Sequence, residues 1–281
     1  EIGDSVVCVG DLALVKVHVH TNTPNIALGY ALELGELIDI KIDNMVEQNR
    51  ELKRQKTQNQ ENLKPLGMVA VAPGDGIANV FKDLMVDSII EGGQTMNPSA
   101  DDIAKAVDSV PAKEVFVFPN NKNIIFAAEQ AKELTNKFIH VIPTKSVPEG
   151  ISAALAFNPE GTVEDNIENM TSSKDNVKSA SVTYAVRTTH VDGFDLTMGD
   201  IIGLDENAIL AKGNLVNDTT INLIEKVITD DTVNITLFYG KEVNGDDAEA
   251  LVSKLQEKYP NCDVTLIEGG QPVYYYLISL E

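Results

Sequence analysis

Apolar positions recur with two periods along this chain, and the switches between them mark out its elements. Residues 5–22 alternate: SVVCVG, a turn at Gly10-Asp11, then ALVKVHVHTN. That pattern predicts a β-hairpin. Thr23 and Pro24 then open a helix with Ile26, Ala27, Tyr30, Ala31 and Leu34 along one face. IDIKIDN at 38–44 alternates again, so the first 44 residues read as a ββαβ unit, too small to bury a core alone. From Met45 the chain turns polar (NRELKRQKTQNQENLK), which predicts an exposed helix running into a linker near residue 62.

Residues 66–158 carry a different pattern. Short apolar runs at 67–72, 87–91, 114–118 and 138–142 are separated by helical periods over 76–86, 100–109, 123–135 and 150–156. Apolar strands alternating with amphipathic helices predict an α/β unit with a doubly wound parallel sheet. Right-handed crossovers then place every strand-to-helix loop at one edge of that sheet. Over 159–281 a helix (160–178) precedes strands at 181–190 and 200–213. A helix (219–229), a strand (234–240), a helix (246–258) and strands at 263–269 and 273–281 follow. This predicts a second α/β subdomain with a mixed sheet.

Composition narrows the function. Of 281 residues, 43 are Asp or Glu and 22 are Lys or Arg, giving a net charge of −21. Such a chain repels phosphates over most of its surface, which argues against nucleic acid as a partner. Trp is absent and aromatics make up 5%, which removes base-stacking platforms. Cys8 and Cys262 stand at opposite ends of the chain in no metal or redox spacing, so the expected compartment is the reducing cytoplasm. No apolar run approaches the roughly 20 residues needed to span a bilayer. The chain opens on Glu1 and enters a strand pattern almost at once, as expected of a piece of a longer protein.

The four loops of the doubly wound block are PGDG (73–76), GGQTMNPS (92–99), PNNKN (119–123) and PTKSVPEG (143–150). Open α/β sheets bind ligands at that edge, which makes Gln94, Thr95, Asn97, Ser99, Asn120, Asn121 and Lys122 the candidate ligand- or partner-binding residues. Their amides and hydroxyls suit a small oxyanion or a partner's backbone. Ordinary turn and capping chemistry would use the same residues; Ser99 followed by Asp102 is a capping-box pattern. No P-loop, dinucleotide fingerprint or nucleophile elbow occurs, so the residues favour a binding or docking module over an enzyme. His18 and His20, two apart on one strand, project from the same face. They are two of the four ligands a structural zinc needs, or a solvated pair. His140 and His190 read as structural.

Several segments together resemble one family: VKVHVHTN (15–22), IKIDNMVEQ (40–48), EGGQTMNPS (91–99), PNNKNI (119–124), VIPTKSVPEGISA (141–153) and EGGQPVYYYLISLE (268–281). They resemble the region downstream of the kinase domain in the bacterial fatty acid kinase A, or dihydroxyacetone-kinase-like (DAK2-domain), family. The resemblance implies that 1–62 is the tail of a middle domain plus a linker. It further implies that 66–281 is a C-terminal domain with the fold of DegV-type fatty-acid-binding proteins. ATP and magnesium would belong to a kinase domain outside this chain, with no cofactor held here. His18 and His20 would bind metal only with ligands from an upstream segment. The implied roles are docking of a DegV-type fatty-acid-binding partner, dimerisation or regulation, in a protein that phosphorylates fatty acids for phospholipid synthesis. The alternative is a lipid carrier with its own acyl tunnel.

Overall fold

The computed structural model describes residues 3–10, 14–44, 47, 63–93 and 96–281. By packing, the chain falls into two units, 1–61 and 62–281.

In the first unit, β1 (Asp4–Gly10) pairs antiparallel with β2 (Val15–His20), with Val7 opposite His18 and Asp4 opposite His20. The register slips between Asp4 and Val7, where Ser5 takes a φ of 51°. Helix α1 (Pro24–Leu34) follows and buries none of its residues. Thr23 occupies the N-cap position, but its hydroxyl makes no cap bond. Pro24 offers no N–H at the first helical position, and the Thr23 hydroxyl sits 3.2 Å from that of Thr21. The strand expected at 38–44 does not form. Ile38, Ile40 and Ile42 are exposed there, and no strand among the described residues pairs with them. Alternation marks the faces of a strand, but only a hydrogen-bonded neighbour makes one. The predicted polar helix and linker lie almost wholly outside the described residues.

The second unit begins with a four-stranded parallel sheet. In chain order its elements are β3 (Lys64–Ala72), α2 (Asp75–Asp83), β4 (Ser88–Glu91), α3 (Ala100–Ser109), β5 (Ala112–Phe118), α4 (Lys122–Ala131), β6 (Phe138–Val141) and α5 (Val147–Leu155). The strand order β4-β3-β5-β6 is doubly wound, with its switch point between β3 and β5. Strand periodicity divides the core in two. Met68, Ala70, Phe116 and Phe118 meet Ile77 and Phe81 of α2 and Ala153 of α5 on one face. Val69, Val71, Val115 and Val117 meet Ile103 and Val107 of α3 and Ile124 and Ala128 of α4 on the other.

Helix α6 (Val163–Asp175) leads into β7 (Lys178–Tyr184), β8 (Thr189–Val191), β9 (Phe194–Leu196), β10 (Ile201–Leu204) and β11 (Ile209–Gly213). Then come α7 (Val216–Val227), β12 (Asn234–Tyr239), α8 (Gly245–Lys258), β13 (Asp263–Glu268) and β14 (Tyr276–Leu280). Six of these strands form a mixed sheet of order β11-β10-β7-β14-β12-β13, in which β12 and β13 run parallel and the other neighbours antiparallel. Leu223 and Ile224 of α7 and Leu251 and Leu255 of α8 cover one face over Val182, Leu237 and Ile278. Strands β8 and β9 form a separate hairpin closed by Asp192-Gly193, both at positive φ. This is the turn geometry that matches strand twist. The strand expected at 181–190 ends at Tyr184 and resumes as β8, and the one expected at 200–213 is folded back on itself by residues 205–208 into the antiparallel pair β10–β11.

Candidate functional site

The loops at the carboxyl edge of the parallel sheet have two different fates. The loop after β3 is used up inside the chain. The Ile77 N–H at the start of α2 donates to the Gly269 carbonyl at 3.1 Å. A Cβ on Gly76 would overlap the Glu268 carbonyl, and one on Gly74, at φ +128°, would press on Gly270. Backbone meets backbone there, so only glycine fits. The two EGG stretches thus serve different ends: 91–93 leads into a rim loop, while 268–270 packs its backbone against the loop after β3. Gln271, 1% exposed, donates its Nε2 to the Phe238 carbonyl at 2.8 Å. Its Oε1 finds no partner among the described residues.

The other three loops converge and are tied by two adjacent asparagines. Asn121 caps α4, its Oδ1 accepting from the Asn123 N–H at 2.9 Å, and its Nδ2 donates across to the Gly93 carbonyl. Asn120 sits at φ +56°, a conformation Asn tolerates better than most residues, which turns its side chain inward. Its Nδ2 donates to the Val71 carbonyl at 2.8 Å, and its Oδ1 accepts from the Thr144 hydroxyl at 2.8 Å. That hydroxyl in turn accepts the Asn120 N–H at 3.0 Å. Asn120 and Thr144 are both buried, and Gly150 of α5 gives the carboxamide room, because a Cβ there would overlap it. Thr144 escapes a sequence reading because its partner lies 24 residues away.

Ser99, Asn97 and Lys122 lie exposed on the outer rim. Ser99 forms a capping box with Asp102, accepting its N–H at 3.2 Å while the Asp102 carboxylate accepts the Ser99 N–H at 3.0 Å. The Ser99 hydroxyl and N–H hold the Asp102 carboxyl below the usual carboxylate range. Gln94 and Thr95 lie outside the described residues. Met96 and Phe126 are 74% and 73% exposed, so the rim pairs polar groups with two uncovered apolar side chains. This surface offers amide donors and acceptors and one lysine, with no nucleophile–base pair among its described residues.

A second cluster was not legible in the sequence. Glu149, in the first turn of α5, is 3% exposed and accepts the Lys145 N–H at 2.8 Å. Burial first, then the neighbouring Glu206 carboxyl, pushes its pKa up to about 7.

In the first unit, the His18 and His20 rings stand edge to face, 5.0 Å between centroids, and His20 Nδ1 lies 3.7 Å from an Asp4 carboxylate oxygen. Cys8 pairs with Val17 and so faces away from both imidazoles. Among the described residues no group of three His, Cys, Asp or Glu side chains could hold a metal. Two imidazoles alone do not complete a structural zinc site. His140 and His190 pair with Glu114 and Asp195 at 2.6 and 2.7 Å. No described helix is long and apolar enough to cross a membrane.

Comparison with known proteins matches this geometry. Residues 67–281 match the C-terminal domain of the FakA-like fatty acid kinases, and residues 1–52 match the middle domain of the same family. Protein YloV of Bacillus subtilis is 43% identical over 286 aligned residues, covering 100% of this chain and 52% of YloV. The chain therefore spans about half the length of the curated relatives it matches. The DegV family protein Cg2579 of Corynebacterium glutamicum superposes with a TM-score of 0.57 at 12% identity, over 77% of this chain and 96% of that one. The fatty acid kinase B3 protein of Streptococcus pneumoniae, solved loaded with linoleic acid, gives 0.50 at 12% identity over 77% and 99%. At such identity these two likenesses establish a shared fold. With the family's C-terminal domain matching residues 67–281, its middle domain matching 1–52, and YloV aligned along the full length of this chain, the chain belongs to the FakA-like fatty acid kinase family.

Proposed function

We propose that this chain is the non-catalytic portion of a fatty acid kinase, whose C-terminal unit docks a DegV-type fatty-acid-binding partner. The whole protein would use ATP and magnesium, held in a separate kinase domain, to phosphorylate the partner's fatty acid in the cytoplasm for phospholipid synthesis. The observation that supports docking over lipid carriage is the internal satisfaction of the carboxyl edge. Asn120, Asn121 and Thr144 spend their polar groups on other loops, and the loop at 73–76 is closed by 268–271. A carrier needs an apolar pocket deep enough to hide an acyl chain. Among the described residues, one cavity, lined by residues 175–179 and 205–207, is walled mainly by polar and charged side chains and is not of that kind. What remains outward at the rim is a surface suited to another protein: Asn97, Lys122, Met96 and Phe126.

Two measurements test this reading. Titration calorimetry with a DegV-type fatty-acid-binding protein is expected to show binding that Lys122→Glu combined with Phe126→Asp weakens at least tenfold at unchanged melting temperature. Native mass spectrometry of the purified chain is expected to show no bound fatty acid; a stoichiometric acyl ligand would overturn docking in favour of carriage.

A further inference from the structure

Away from the rim, the two subdomains of the second unit meet at a pair of carboxyl groups. The Glu206 carboxyl, at the tip of the β10–β11 hairpin, lies within hydrogen-bonding reach of Glu149 on α5. Lys145 is bonded to both: its backbone N–H donates to Glu149 at 2.8 Å and its Nζ to Glu206 at 3.2 Å. Lys174, in the last turn of α6, is the other cation facing Glu149, and it is paired with Asp175, which also faces Lys145. Asp205, beside Glu206, spends its Oδ1 on the N–H groups of Asn207 and Ala208 at 2.8 and 2.9 Å. The Ser146 and Ser179 hydroxyls, 2.6 Å apart, add a neutral link between the same two subdomains. Next to the hairpin tip lies a cavity of about 340 Å³, and residues 205–207 form one of its walls.

Two carboxyl groups at this distance attract only when a proton lies between them. Without it they repel, and the repulsion falls on the element that gives most easily. That element is the four-residue turn, exposed at Glu206 and Asn207, rather than the packed first turn of α5. We propose that Glu149 and Glu206 form a proton-dependent latch that holds the β10–β11 turn against α5, and whose deprotonation releases the turn and widens the adjoining cavity. In the closed state the Glu149 O–H donates to the Glu206 carboxylate. On opening, that one proton passes to water, Glu149 keeps the Lys145 N–H and faces Lys174, and Glu206 swings away from α5 with its ion pair carried on the flexible Lys145 side chain. The raised Glu149 pKa sets the direction, because the proton is retained from the usual carboxylate range up to about pH 7. The latch is closed below neutrality and open above it.

The test is hydrogen–deuterium exchange of the full chain at pH 6 and pH 8.5, with labelling times scaled for the intrinsic exchange rate. Peptides spanning 204–209 are expected to lose protection at least fivefold at the higher pH, while those in β3 and β5 stay unchanged. Glu149→Gln, which cannot ionise, is expected to keep the turn protected at both values. Should that buried variant misfold, Glu206→Gln in the exposed turn decides the matter, because removing its charge also abolishes the pH response. Protection independent of pH in the unmodified chain, or a response that persists in either folded variant, would overturn the latch.

Discussion

The two ends of this chain use the same strand alphabet with opposite results. In β2, Val15 and Val17 are 56% and 57% exposed; in β3, Val69 and Val71 are 0% and 1% exposed. Both sets stand on one face of a strand. The difference lies in what covers that face. The β1–β2 ribbon has one helix and no third strand among the described residues of its unit, and such a set of elements closes no core. The parallel sheet has helices on both faces, so every second residue is covered whichever way it points. Burial belongs to the layer above a residue and not to the residue's own hydrophobicity.

That comparison breaks most sharply under mutation of matched apolar positions. Phe116→Ala removes a fully buried ring and is expected to cost about 3–5 kcal/mol of unfolding free energy in urea. Val17→Ala should change it by less than about 0.5 kcal/mol, so a comparable loss at Val17 would show a core in the first unit. Gly150→Ala comes next. Its new Cβ overlaps the Asn120 carboxamide, and the expected loss is about 1–3 kcal/mol, accompanied by weaker exchange protection at Thr144. Asn120→Ala leaves the Val71 carbonyl and the Thr144 hydroxyl without that partner, at about 1–3 kcal/mol. Doing both should cost less than the sum, since each change destroys the same contact.

A subtler effect is pH. Glu149 has a raised pKa in the folded chain, so its contribution to stability is complete below the usual carboxylate range and is lost as pH rises through about 7. Thermal melts should therefore fall between pH 6 and 8.5 in the unmodified chain, and fall less in Glu149→Gln. Asp102 runs the other way: its lowered pKa stabilises the fold above the unfolded value and fades under acid. Ser99→Ala, which removes its cap partner, is expected to cost about 1 kcal/mol near neutrality and less at pH 3.

Much of this architecture was legible from local pattern alone. The runs MVAVA and VFVF announce covered strands because they are apolar on both faces, and each is followed by a helical period. The loops at 92–99 and 119–123 do meet, as right-handed crossovers require. Local pattern failed where the deciding partner is remote or missing. Ile38, Ile40 and Ile42 alternate correctly but have no neighbour strand among the described residues. Asp205, Glu206 and Asn207 carried a turn signal inside the expected 200–213 strand, and the alternation on either side masked it. Thr144, Gln271 and Glu149 look like ordinary loop and helix residues until Asn120, Phe238 and Glu206 are placed beside them. Periodicity reports which side a residue faces; it carries no information about who waits there.

The position of β14 has a consequence for how the chain is made. Residues Tyr276–Leu280 come last in sequence order yet fill the slot between β7 and β12, in the middle of the six-stranded sheet. Synthesis proceeds from the amino end, so the β11-β10-β7 half is made well before β14, and until β14 docks both it and the β12-β13 half keep a bare edge facing an empty gap. Those unpaired edges are templates for foreign strands until five residues arrive to bridge them. A chain cut after Pro272 would hold a finished parallel sheet beside two sticky half-sheets.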